Sequence, residues 1–99
     1  MLECSSKDLK TIKNILDHVV PGHRVYAFGS RVNGKSTNTS DLDLAVEAAE
    51  LIPLEKIAIL EECFAESDLS FRVDLIDLTR ALENIKNSIL KMNYIIIND

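Results

Sequence analysis

The 99-residue chain predicts one α/β (α+β) domain spanning residues 1–99, a small mixed β-sheet flanked by helices. Three observations carry that reading. Segments with apolar residues three or four apart alternate with short runs rich in Val, Tyr, Phe and Leu. Polar stretches containing Gly, Pro or Ser separate them, without repeats or low-complexity linkers. At 46% apolar and 27% charged residues, the composition is that of a globular chain with enough apolar side chains for one core.

From Ser6 to about Val19, residues Leu9, Ile12, Ile15, Leu16 and Val19 line one helical face. Ser5 or Ser6 can cap that helix, and Pro21-Gly22 ends it. Arg24 to Phe28 is too short and too rich in Val, Tyr and Phe for a helix and predicts a buried strand. A short helical turn can begin at Ser30, and Gly34 with the polar run to Ser40 signals a loop. Leu42 to Val46 predicts the second strand. Pro53 suits the first turn of a second helix, which continues through Leu54, Ile57, Ala58, Glu61, Phe64 and Ala65 up to Ser67. Phe71 to Leu78 predicts a third strand, with Phe71, Val73, Leu75 and Asp77 on one face and Arg72, Asp74, Ile76 and Leu78 on the other. Thr79 can cap a last helix through Met92. The tail Tyr94-Ile95-Ile96-Ile97 fits either a strand or an extension of that helix.

Charge and composition narrow the functions. The net charge is −5, from 11 basic against 16 acidic residues, and the basic ones are scattered. Gripping a nucleic-acid backbone needs clustered Lys and Arg, so strong nucleic-acid binding by this chain alone is not expected. No apolar run has the length of a membrane span, and the amino terminus lacks a signal-peptide core, so a cytoplasmic protein without membrane attachment is expected. Cys4 and Cys63 form no Cys-x-x-Cys pair and read as small hydrophobes. His18 and His23 flank the Pro21-Gly22 turn and read as loop or helix-end residues.

The chemistry concentrates between Arg24 and Val46. A strand ends in Gly29-Ser30, ten residues follow, and the next strand carries Asp41-Leu42-Asp43. Residues i and i+2 of a strand share a face, so the two carboxylates stand side by side, roughly 6.7 Å apart along the strand. Like charges so placed destabilise a fold unless a cation compensates them. A divalent metal is the simplest compensation. If the third strand pairs beside the second, Asp74 joins Asp41 and Asp43 at one rim, a hard oxygen set suited to Mg²⁺. Two such ions can clamp the attacking and leaving oxygens of an in-line phosphoryl displacement. Asp41 and Asp43 would bridge both ions, and Asp74 would complete one site and could accept the attacking hydroxyl's proton. Gly29 permits close backbone approach, Ser30 adds a hydroxyl, and the following turn offers N–H groups to phosphate. Arg31 and Lys35 are near enough in sequence to neutralise a triphosphate. Asp77 reads as structural, Gly34 as a turn residue, and Arg72 as either a neighbour of the site or an exposed ion pair.

Taken together, Gly29-Ser30, Asp41-Leu42-Asp43 and Val73-Asp74-Leu75 resemble the signature of the DNA polymerase β-like nucleotidyltransferase superfamily. The form Gly-Ser-Arg-x-x-Gly with Ser-Asp-Leu-Asp-Leu-Ala-Val most resembles the minimal nucleotidyltransferases, the MNT proteins. That resemblance covers Val25 to Leu78. It implies a polymerase β palm-like fold and transfer of a nucleoside monophosphate from an NTP, here ATP, with two Mg²⁺ ions. It also implies a hetero-oligomeric partner, a HEPN-domain toxin that the antitoxin adenylylates on a tyrosine. A homodimer is left open, as is a small-molecule or RNA-end acceptor, or an antitoxin that acts by occlusion alone.

Overall fold

The computed structural model describes residues 2–34, 36–37 and 40–98. Among these residues, three helices and four strands follow in the order α1 (Ser6–Val19), β1 (Arg24–Phe28), β2 (Leu42–Glu47), α2 (Leu54–Ala65), β3 (Val73–Asp77), α3 (Glu83–Lys91) and β4 (Tyr94–Asn98). The strands form one mixed sheet in the order β3-β2-β1-β4. β1 is antiparallel to both β2 and β4, whereas β2 and β3 are parallel. A parallel pair needs a long crossover, and α2 provides it.

α1 starts where Ser5 accepts a hydrogen bond from the Asp8 amide at 3.0 Å, satisfying one of the donors that a helix start leaves over. Its buried residues, Ile12, Leu16 and Val19, pack with Leu60 and Phe64 of α2 onto one sheet face, made by Val25, Ala27, Leu42, Leu44 and Val46. Tyr26, Phe28 and Ala45 point to the opposite face and meet Leu78 and Ile89. The alternation expected for the third strand holds on both sides, with Phe71, Val73 and Leu75 against the first cluster and Ile76 and Leu78 against the second.

Several boundaries differ from expectation, each for a local reason. The tail is a strand, β4, because β1 has a second edge to fill, and Tyr94 packs edge-on against Tyr26 with centroids 5.0 Å apart. Pro53 is the residue before α2 rather than within its first turn, and that helix ends at Ala65 instead of Ser67. Thr79 does not cap α3, which begins at Glu83 after Leu82. Instead the Asp77 carboxylate accepts bonds from the Thr79 amide (2.9 Å), the Thr79 hydroxyl and Arg80 (2.6 Å). Thr79 Oγ1 accepts from the Ile52 amide at 3.3 Å, and Arg80 donates to the Ile52 carbonyl. The turn after β3 is thereby tied to the entry of α2.

This clamp gives a stability prediction. Burial alone would raise the Asp77 pKa, but the bonds from Thr79 and Arg80 outweigh it and hold the carboxyl below its ordinary value. A depressed acid contributes stability that is present above its unfolded pKa and lost as pH falls through its folded one. Asp77→Ala should therefore cost about 1.5–3 kcal/mol at neutral pH, the range for hydrogen bonds to a charged group. Thermal melts should show the gap to the native chain narrowing below about pH 4.

Candidate active site

The parallel register sets Asp43 directly beside Asp74, with Leu42 beside Val73 and Leu44 beside Leu75. Adjacent strands lie about 4.8 Å apart. The two aspartates are on the face opposite Leu42 and Leu44, at the end of the sheet where β2 and β3 begin and β1 stops. Asp41, one residue before β2, lies at the same rim. Arg72, one residue before β3, reaches both outer carboxylates through the same nitrogen, 3.5 Å from Asp41 Oδ2 and 3.6 Å from Asp74 Oδ1. The three carboxylates therefore share one corner of the sheet.

Electrostatics agrees with that crowding. Burial, then the charges of Asp74 and Asp41, push the Asp43 pKa above the ordinary carboxylate range. The like-charge crowding expected from the i, i+2 spacing acts on Asp43.

β1 runs antiparallel to β2 so that Phe28 pairs with Asp43, which delivers the next residue, Gly29, onto that carboxylate. Gly29 has φ +86°, and a Cβ built there would stand 2.3 Å from Asp43 Oδ2. Close approach, inferred from a Gly following a strand, is here an approach to the metal-ligand candidate itself. The Gly29 carbonyl accepts from the amides of Val32 (3.0 Å) and Asn33 (3.2 Å), closing one helical turn over the following residues. Ser30 heads that turn, where a helical start leaves amides without internal partners.

Arg31 differs from expectation. Its side chain is 5% exposed, and its guanidinium stacks 3.9 Å over the Phe71 ring. It donates to the carbonyls of Ser40 (2.8 Å), Glu3 (2.7 Å) and Thr37 (3.3 Å). With those donors committed to carbonyls, a clamp on phosphate is not what this geometry offers. Arg31 instead fixes the loop that leads into Asp41. Glu3 shares that task, since its amide donates to the Arg31 carbonyl at 2.7 Å and its carboxylate accepts from Ser36. No sequence signal marked Glu3, because the contact joins residues 28 apart with no motif between them. Lys35 lies outside the described residues.

The donor set fits Mg²⁺ better than a soft metal. It consists of carboxylate oxygens, with Cys4 and Cys63 elsewhere. Among the described residues no group of three His, Cys, Asp or Glu side chains closes on one point to enclose an ion. Mg²⁺ takes one or two carboxylates and fills its remaining positions with water and substrate phosphate. Among the described residues, no helix is long and apolar enough to cross a membrane.

The geometry has clear relatives. Residues 10–99 match the family model described as "Polymerase beta, Nucleotidyltransferase". The chain is 44% identical over 100 residues to the "Probable protein adenylyltransferase MntA" of Haemophilus influenzae, covering 99% of this chain and 85% of that protein. A solved toxin–antitoxin complex with AMP-PNP superposes with a TM-score of 0.75 at 27% identity, over 91% of this chain and 72% of that one. A second complex, MntA–HpeT carrying two aspartate-to-glutamate substitutions, gives 0.72 at 26% identity, over 90% and 71%. The chain belongs to the polymerase β nucleotidyltransferase family and, within it, is a nucleotidyltransferase of the minimal MNT type.

Proposed function

We propose that this nucleotidyltransferase moves AMP from ATP to a hydroxyl on a protein acceptor, and that the acceptor is a HEPN-type toxin which it binds and neutralises. The observation that carries the chemistry is the meeting of Asp41, Asp43 and Asp74 at one sheet corner against Gly29. The MntA relative's name and the neighbouring toxin–antitoxin complex with AMP-PNP support the choice of nucleotide and of acceptor class.

Asp41, Asp43 and Asp74 would hold Mg²⁺, which when bound polarises the α-phosphate and offsets charge on the attacking and leaving oxygens. Asp41 and Asp43 orient the nucleotide's reacting end through that shared site. The backbone at Gly29 and Ser30 receives phosphate oxygens, since no side chain stands in the way at residue 29. Asp74 would take the acceptor hydroxyl's proton. The new bond joins the acceptor oxygen to the α-phosphorus, the bond from that phosphorus to the bridging oxygen breaks, and pyrophosphate leaves.

The test is incubation with α-labelled ATP, Mg²⁺ and the protein encoded beside this chain. Label is expected on that neighbour and is expected to vanish when a chelator removes the metal. Label confined to a small molecule or to RNA would remove the protein-acceptor reading.

A further inference from the structure

The Arg72 head sits where two carboxylates would share a cation. One nitrogen lies 3.5 Å from Asp41 Oδ2 and 3.6 Å from Asp74 Oδ1, so it stands between the outer members of the trio. Both distances are at or beyond the limit of a hydrogen bond, and the Arg72 side chain is 76% exposed. The attraction is therefore that of a loosely held, solvated counter-ion. The side chain also has somewhere to go. A cleft of about 610 Å³, which Arg72 itself lines together with Asp74, continues past Phe64, Leu69 and Phe71 to Glu61, which contributes a carboxylate.

We propose that Arg72 is a resident counter-cation of this carboxylate corner, which a divalent metal must displace before Asp41 and Asp74 can bind it. The inference rests on the metal-site reading above. A guanidinium and a divalent ion cannot occupy the space between the same two carboxylates, so each weakens the other. Arg72 thus tempers a like-charge cluster before metal arrives, at the cost of weaker metal binding. On arrival of metal the guanidinium moves along this cleft, away from Asp74 and toward Glu61.

Direct Mn²⁺ binding to the purified chain, read by loss of the free-ion electron paramagnetic resonance signal without nucleotide, tests this. Arg72→Gln keeps a polar, flexible side chain, though a shorter one, and removes charge at an exposed position, so folding is not at stake. It should tighten Mn²⁺ binding about two- to fivefold, the scale of an exposed ion pair. The gain should shrink in about 0.5 M salt, where exposed charges are screened. Lys10→Gln, on the solvent side of α1, removes the same charge far from the corner and should leave binding unchanged.

Native-like or weaker binding by Arg72→Gln, or an equal gain in Lys10→Gln, would overturn the proposal while leaving the metal site standing. A gain that does not respond to salt would also overturn it. If neither the native chain nor Arg72→Gln takes up Mn²⁺, the metal-site reading itself fails, and the displacement idea goes with it.

Discussion

Asp43→Asn should abolish transfer and yet melt at a higher temperature than the native chain. The two effects share one cause. Burial and the neighbouring charges of Asp74 and Asp41 raise the Asp43 pKa and burden its charged form. Asparagine keeps its shape and removes that strain. The gain should stay within about 1 kcal/mol, because the corner is partly solvated. In a domain this small it reads as a few degrees in Tm. The sign of the pH dependence follows. An acid whose folded pKa is raised costs the native state stability at pH values above that pKa, and the cost fades as pH falls toward the unfolded value. The advantage of Asp43→Asn should therefore be full at neutral pH and disappear on acidification through the carboxylate range. Transfer moves the other way, since losing the carboxylate proposed to hold the metal would forfeit several kcal/mol of charge stabilisation, about a thousandfold or more in rate. Asp41→Asn should lose activity on the same scale. Retained transfer in either variant would remove these residues from the metal site, and a lowered Tm for Asp43→Asn would show that its charge is already compensated.

That Asp43 burdens the fold explains why the meeting of carboxylates at this corner was legible from the sequence. Aspartates alternating with Leu and Ala in a buried strand contradict the local pattern, and such contradictions belong to function. The Gly29-Ser30 step after β1 was legible for a similar reason. Arg31 was not, because nearness in sequence says nothing about which way a long side chain turns. Its direction is set by carbonyls at Glu3, Thr37 and Ser40 and by the Phe71 ring, contacts that only the folded loop assembles. Arg72 was half legible. Alternation put it on the face of Asp74, but its reach to Asp41 depends on β3 pairing in parallel with β2. The tail's identity as β4 likewise depends on the second edge of β1, since a short apolar run fits strand or helix equally.

Gly29→Ala should be the most damaging single-methyl change in the chain. At φ +86° an L side chain strains the backbone by about 1–2 kcal/mol. Here the added carbon would also lie 2.3 Å from Asp43 Oδ2, so either the carboxylate or the turn must move. The backbone has little freedom to yield, because the Gly29 carbonyl holds two amides and the preceding Phe28 is locked between β2 and β4. Asp43 would rotate away from the corner, carrying off the proposed metal ligand and filling the space proposed for phosphate. Thermal melts should show a loss of about 1–3 kcal/mol, and transfer should fall by about a hundredfold or more, as for a site displaced by an ångström. Gly22→Ala isolates the backbone share of this effect. Gly22 has φ +75°, but nothing lies within 4 Å of the added carbon. It should lose similar backbone energy and keep native transfer. Equal activity in the two variants would mean that the closeness of Gly29 to Asp43 is a packing accident, with no part in seating the nucleotide.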